Sequence, residues 1–229
     1  IGSNDIRRPA LKLRHADKSG EGSLELTLNN NRQDPALIRQ FLAYEVFRRA
    51  GVPAPRCSFA SLKVNGRDLG IYSCVQPINA RFLTEHFGNS DGNLYEGGRS
   101  DFRSNWVQNF VVKGKAKERA DLERATAAIE HSKDSIMPAL NAHFHSDEFF
   151  RFWAVESLIN ESDGYAANMN NFYLYNNPSG EKFIFIPWGA DSTFYPGGPM
   201  NSVRGDPRSV IGTGILANRL YNSEDGAAR

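Results

Sequence analysis

Sulfur is scarce in this chain: 229 residues hold two cysteines and three methionines, which excludes a disulfide-dense scaffold and a cysteine-built zinc site. Uncompensated charge is scarce too. Lys and Arg number 27 against 26 Asp and Glu, so no chain-wide field exists to recruit nucleic acid or an anionic membrane. No apolar run approaches the roughly 20 residues that a membrane span requires. The opening stretch IGSNDIRRPA contains neither the apolar core of a signal peptide nor a transit-peptide pattern. Internal repeats and low-complexity tracts are missing as well. What is present is 40% hydrophobic and 11% aromatic residues, enough for one sizeable core or two small lobes sharing an interface. Ile1 lies inside a polar stretch and Arg229 follows a helix-like segment; we expect flanking signals or domains to be missing and the C-terminal part to be truncated.

Periodicity predicts an α+β chain. Residues 10–14 (ALKLR) and 23–28 (SLELTL) alternate apolar with polar and read as strands joined by a Gly/Ser/Lys turn. A helix should follow, capped by Asp34, with Pro35 in its first turn, Gly51 at its left-handed end and Pro53 blocking continuation. Ile38, Phe41, Leu42 and Glu45 stand at i, i+3, i+4 and i+7, which puts one carboxylate on the inward face or at its solvent margin. Gln76-Pro77-Ile78-Asn79 reads as a connector, residues 88–105 as a Gly/Asn-rich loop, and Phe110 to Lys113 as a short strand. Helices are predicted over 117–131 and over 147–160, the latter very apolar and capped by Ser146. Strands follow at Phe172 to Tyr175 and Lys182 to Pro187, joined by NPSG.

The cysteines flank a hairpin signal, RCSFASLKV-NG-RDLGIYSCV. If Asn65 and Gly66 form a two-residue turn, Val64 faces Arg67 and counting outward makes Cys57 face Cys74, a non-hydrogen-bonded pair about 4.5 Å apart at Cα. That spacing accepts a disulfide. Two reduced, buried small side chains are the other reading.

The stretch ESDGYAANMNNFYLYNNPSGEKFIFIPWGADSTFY places an acid and several amides before one strand and a second acid just beyond the next. Phosphoryl transfer from ATP needs positioning, metal binding and neutralisation of charge more than covalent participation. Asp163, Asn171 and Asp191 supply hard oxygen ligands of the types that magnesium or manganese takes, although such residues also serve as ordinary turn formers.

A resemblance adds weight to the functional reading. DPALIRQFLAYEVFRRAGVPAPR, LKVNGRDLGIY, GNLYEG, NFYLY and IPWGADSTF, in that order, are similar to blocks of the CotH family of spore-coat and cell-surface kinases, from about residue 10 onward. The resemblance implies an atypical protein-kinase-like two-lobed fold, with a small lobe over 1–79 and a larger one over 80–229. It implies transfer of the γ-phosphoryl group of ATP, with Mg2+ or Mn2+, to Ser or Thr of a protein substrate. It also implies an extracytoplasmic setting at the cell surface or spore coat. By the same resemblance Asp163 is the catalytic-loop acid, Asn171 the metal-binding amide with Asn168 and Asn170 as rivals, and Asp191 the acid that binds the bridging metal. Glu45 becomes the helix acid for a phosphate-anchoring lysine, for which Lys12 is the best candidate, and Arg39 a further group able to reach phosphate.

Gly189 stands where the family usually has the first acid of its Trp-Asp-x-Asp pattern, and Gln76 where it often has Glu. No phosphate-cradling glycine loop opens the chain. These departures support an alternative: a catalytically silent surface or coat protein, or a pseudokinase, that binds a partner. His143 and His145 lack a convincing third ligand and read as capping or surface residues. Lys113, Lys115, Lys117 and Arg119 form a basic run whose default is a solvated face, with docking of an acidic substrate as the other use.

Overall fold

The computed structural model describes residues 5–16, 23–114, 118–195 and 210–224. The strands are β1 Leu11–Ala16, β2 Ser23–Asn29, β3 Cys57–Val64, β4 Arg67–Val75, β5 Asn93–Gly97, β6 Val111–Lys113, β7 Phe172–Asn177 and β8 Lys182–Pro187. The helices are α1 Arg39–Arg49, α2 Ala80–Phe87, α3 Ala120–His131, α4 Met137–His143, α5 Ser146–Leu158, α6 Tyr165–Asn168 and α7 Ile215–Tyr221. Two four-stranded antiparallel sheets result, ordered β1-β2-β4-β3 and β6-β5-β7-β8. The chain is therefore α+β, as its periodicity predicts.

The second sheet is a middle layer. On one face it meets α2 through Phe82, Leu83, Leu94 and Tyr175. On the other, Phe185 lies 4.9 Å from Phe149 and 5.2 Å from Phe152 between ring centroids, which seats β8 on α5. Helix α1 joins the same cluster, since Phe47 stacks on Phe152 at 5.7 Å. One hydrophobic core thus runs from α1 through α5 to α7. Across it the two sheets hold together by apolar burial of roughly 25 cal/mol per Å².

That packing corrects the expected face of α1. The buried residues are Gln40, Ala43, Tyr44 and Phe47, whereas Ile38 and Leu42 are each 41% exposed. Because α1 touches β3 through Phe41 and Phe59 on one side and α5 on the other, burial is decided by two neighbours rather than by the apolar stripe. The helix also starts later than expected. Leu37 adopts φ +58°, and the buried Asp34 carboxylate accepts from the Ala36 N–H at 2.9 Å and, across that turn, from the Arg39 N–H at 2.7 Å. Its end is as predicted: Gly51 at φ +77° lets the Val52 N–H reach the Phe47 carbonyl at 2.9 Å.

Three further expectations change. The loop over 88–105 contains β5, the strand between β6 and β7; its five residues between glycines are too short to carry a period. Ser146 is the first residue of α5 and not its cap; His145 precedes it and makes no side-chain cap bond. The turn at Asn65-Gly66 forms and Val64 pairs with Arg67, but a bulge leaves Leu62 opposite Gly70 and Lys63 opposite Asp68. Gly70 takes φ +78°, and its N–H is held by Asp68 Oδ1 at 2.7 Å. From the bulge outward the register moves by one, so Cys57 faces Val75 and Cys74 faces Ser58. A one-residue slip turns side chains to the opposite face. Both thiols are free, and the predicted disulfide is overturned. Burial pushes the Cys57 thiol up to about 11. Titration in denaturant without reductant should return two thiols per chain, and Cys57 should resist alkylation at pH 8 until the chain unfolds.

Candidate active site

Strands β7 and β8 pair in register from Asn177↔Lys182 at the turn to Phe172↔Pro187 at the open end. The loop entering β7 and the loop leaving β8 therefore meet. The Trp188 N–H donates to the Asn171 carbonyl at 3.1 Å, and the Asp191 N–H to the Gly189 carbonyl at 2.9 Å. On the entering side, three amides converge on one acid: Asn168 and Asn170 donate to Asp163 Oδ1 at 2.6 and 3.1 Å, and Asn171 donates to Oδ2 at 2.7 Å. All three amide candidates contact Asp163, and Asn171 alone also borders Gly189, with its Oδ1 2.7 Å from where a Gly189 Cβ would stand.

Asp191 is 5% exposed. Its Oδ2 accepts from Asn29 Nδ2 at 3.4 Å, and the same amide donates to Gln40 Oε1 at 3.1 Å, so β2, α1 and the β8 exit are tied together. Burial raises the Asp191 carboxyl to about 6, and the charge of Asp163 pushes in the same direction. The residues next to the two acids are in contact, since the Ser162 N–H donates to the Ser192 carbonyl at 3.3 Å. Glu161, 2% exposed, is pushed well above the carboxylate range by burial and then by Glu156, Asp191 and Asp163 nearby.

A cleft lies between the sheets. Its outer part, about 570 Å³, is lined by Lys12, Thr27, Ile78, Asn79, Tyr173 and Trp188 among others. A smaller inner part, about 250 Å³, shares Lys12, Thr27 and Trp188 and reaches Asn29, Gln40 and Gly189. The connector 77–80 walls the outer part. Lys12, on β1 opposite Thr27, is exposed and lines both parts of the cleft.

Glu45 is not in it. Its carboxylate bonds Arg48 at 2.6 Å and Arg49 at 2.8 Å, and those cations, Arg49 first, hold it below the usual carboxylate range. These pairs take the place of the expected one with Lys12, because the inward positions of α1 stand two residues, about 200°, around the helix from the apolar stripe. Gln40 occupies the inner face instead. Arg39 lies against Asp34 at 3.5 Å and over the Tyr195 ring at 3.4 Å; it lines neither part of the cleft. Gln76 bridges the Arg56 N–H and Glu85 on the connector. Among the described residues no group of three or more His, Cys, Asp or Glu side chains could hold a metal. Lys115 and Lys117 lie outside the described residues, and Lys113 pairs with Glu96 at 2.7 Å.

Sequence reasoning missed Asn29, Gln40, Glu156, Glu161 and Trp188. One signal was available: Phe149, Phe152, Trp153 and Glu156 stand at i, i+3, i+4 and i+7 of α5, which places an acid on its apolar stripe.

Two antiparallel sheets that enclose a cleft, with a pair of acids behind its inner end, define an α+β domain built around a ligand-sized cavity. The chain belongs to the CotH family: residues 2–222 match the family described as CotH kinase protein. It is 23% identical over 191 residues to inner spore coat protein H of Bacillus subtilis (strain 168), covering 77% of this chain and 52% of that protein. It is 26% identical over 186 residues to invasin CotH3 of Rhizopus delemar, covering 73% and 31%. Over a 68-residue stretch it is 46% identical to an inner spore coat protein H-like protein of B. subtilis, covering 28% and 22%. The chain spans about half the length, or less, of these relatives.

Two stability tests follow from this geometry. A carboxyl raised from 3.8 to about 6 binds protons more tightly in the folded state. The cost of its charge is absent below about pH 4 and complete above about pH 6. Asp191→Asn should therefore stabilise the metal-free protein at pH 7 by on the order of 1–3 kcal/mol, and denaturant melts at pH 4 should show the gain vanish. Gly189, at φ +56° with Asn171 against it, should tolerate no side chain: Gly189→Ala should cost about 1–3 kcal/mol in the same assay.

Proposed function

We propose that this chain is a two-lobed atypical protein kinase: it binds ATP with a divalent cation in the cleft between its sheets and transfers the γ-phosphoryl group to a Ser or Thr hydroxyl of a protein. The observation that carries this reading is the meeting of Asp163, Asn171 and Asp191 at one end of the β7–β8 hairpin, behind a cleft that bears Lys12. The donor set suits a hard cation. Asp191 is a buried carboxyl that, among the described residues, has one amide neighbour and no cationic side chain bonded to it, and Asn171 Oδ1 lies beside the same turn. Asp191 and Asn171 would hold Mg2+ or Mn2+ there. The ion supplies neutralisation of the charge that develops on the phosphate oxygens.

The remaining work falls to the chain's own residues. Asp163 Oδ2 takes one donor from Asn171, which leaves a lone pair to accept a substrate hydroxyl proton. The hydroxyl oxygen bonds to the γ-phosphorus, the bond to the β–γ bridging oxygen breaks, ADP leaves, and the proton passes to Asp163. The three amides fix the direction of that carboxylate, and Lys12 offers an ammonium to phosphate oxygens from β1. The names of the spore-coat relatives support a place at a coat, and the partner proposed here is a Ser/Thr-rich protein segment. No helix among the described residues is long and apolar enough to cross a membrane.

One observation favours the second reading, a silent partner-binding coat or surface protein. Gly189 has no room for the acid that the family pattern carries there, so one negative ligand is lost. The two readings part in a thermal-shift assay with ATP and manganese. A hundredfold excess over Kd stabilises a binding-competent native state by about 2.7 kcal/mol. Wild type and Asp163→Ala should shift, Asp191→Ala should not, and wild type alone should transfer label from ATP to a Ser/Thr-rich test protein. An unshifted wild type sinks the kinase reading.

A further inference from the structure

Three backbone N–H groups of the segment 163–166 point at side-chain carboxyls. Tyr165 and Ala166 donate to the two oxygens of Glu156 at 2.9 and 2.8 Å, and Asp163 donates to Glu161 Oε1 at 3.2 Å. Both acids are almost fully buried, at 1% and 2% exposure. They close on Gly164 from two sides: a Cβ there would overlap Glu156 Oε1 and Glu161 Cγ. Neither lines the cleft, and neither has a role in the transfer set out above. Burying two carboxyls costs folding free energy that apolar side chains of the same volume would not cost. What they do here that an apolar side chain cannot is accept those N–H groups.

We propose that Glu156 and Glu161 are positioning residues that fix the backbone of 163–166 and thereby the direction in which the Asp163 carboxylate meets the substrate hydroxyl. This rests on the phosphoryl-transfer reading of Asp163. The two acids differ in what they tolerate. Glu156 uses both oxygens as acceptors, so glutamine would set its NH2 against a backbone N–H. Glu161 uses one oxygen, and its buried Oε2 has no partner among the described residues. Glutamine at 161 keeps the needed acceptor in the same volume, whereas methionine keeps the volume and loses the acceptor.

The test combines hydrogen exchange of peptides spanning 163–166 with kcat and KM for ATP in Glu156→Gln, Glu161→Met and Glu161→Gln. Glu156→Gln and Glu161→Met should speed exchange in this segment by about tenfold. They should lower kcat on the order of 10- to 100-fold while KM for ATP moves less than about twofold. Glu161→Gln should recover most of what methionine loses. Equal effects of Gln and Met at 161 would mean packing alone and overturn the proposal, as would unchanged exchange in Glu156→Gln. Should Glu156→Gln fail to fold, the comparison at 161 decides by itself. If wild type transfers no phosphate, the exchange data still judge the positioning, and the phosphoryl-transfer reading is what fails.

Discussion

The register of one hairpin is the constraint on which the site depends. Phe172 opposite Pro187 puts the last residue of the Asn-rich loop beside the first residues after β8, and the backbone bond from Trp188 to Asn171 locks the two loops together. A slip of one residue would exchange the α2-facing and α5-facing side chains of the strand that moved. The aromatic packing of Phe185 against Phe149, Phe152 and Tyr165 penalises that slip heavily, because each ring contributes a large buried area. The core beneath the sheet therefore sets where Asp163 and Asp191 sit relative to each other. The chemistry proposed for them draws on that rigidity without adding contacts of its own.

Around this hairpin, acids collect without matching cations. Among the described residues Asp191 and Glu161 have no cationic side chain bonded to them, and Glu156 accepts backbone N–H groups on both oxygens. Burial raises all three, Glu156 to about 8. Such an arrangement is expensive in a fold maintained by only about 5–15 kcal/mol, and perturbed carboxyls beside a cleft are a mark of function more often than of stability. Of the positive groups that sequence pattern had pointed to, Arg39 is engaged with Asp34 and Tyr195. Lys12 lines both parts of the cleft, whereas Lys113, which lines the outer part, is paired with Glu96.

Gly189 shows how tightly the pieces fit. Its positive φ and its approach to Asn171 belong together: the amide that reaches Asp163 fills the space in which a side chain at 189 would stand. The departure from the family pattern is thus part of the local packing. It also links the amide that contacts Asp163 to the turn that carries Asp191, so a change at either position is felt at both acids.

Much of this was legible in one dimension. Strand alternation, the Gly51 stop, the Asn65-Gly66 turn and the acid–amide–acid order around a hairpin all depend on residues near one another in the chain, where local sterics and hydrogen bonding decide the outcome. What the tertiary structure decided were matters of phase and partnership. A bulge at Leu69-Gly70 moved the cysteines out of opposition, and contact with both β3 and α5 turned Gln40 inward and Glu45 outward. The segment 163–166 was placed over two buried glutamates that no spacing rule connects to it. Each of these turns on which surface meets which across the core: one residue of register in the hairpin, and two residues or about 200° around α1, are set by neighbours that a periodic pattern does not identify.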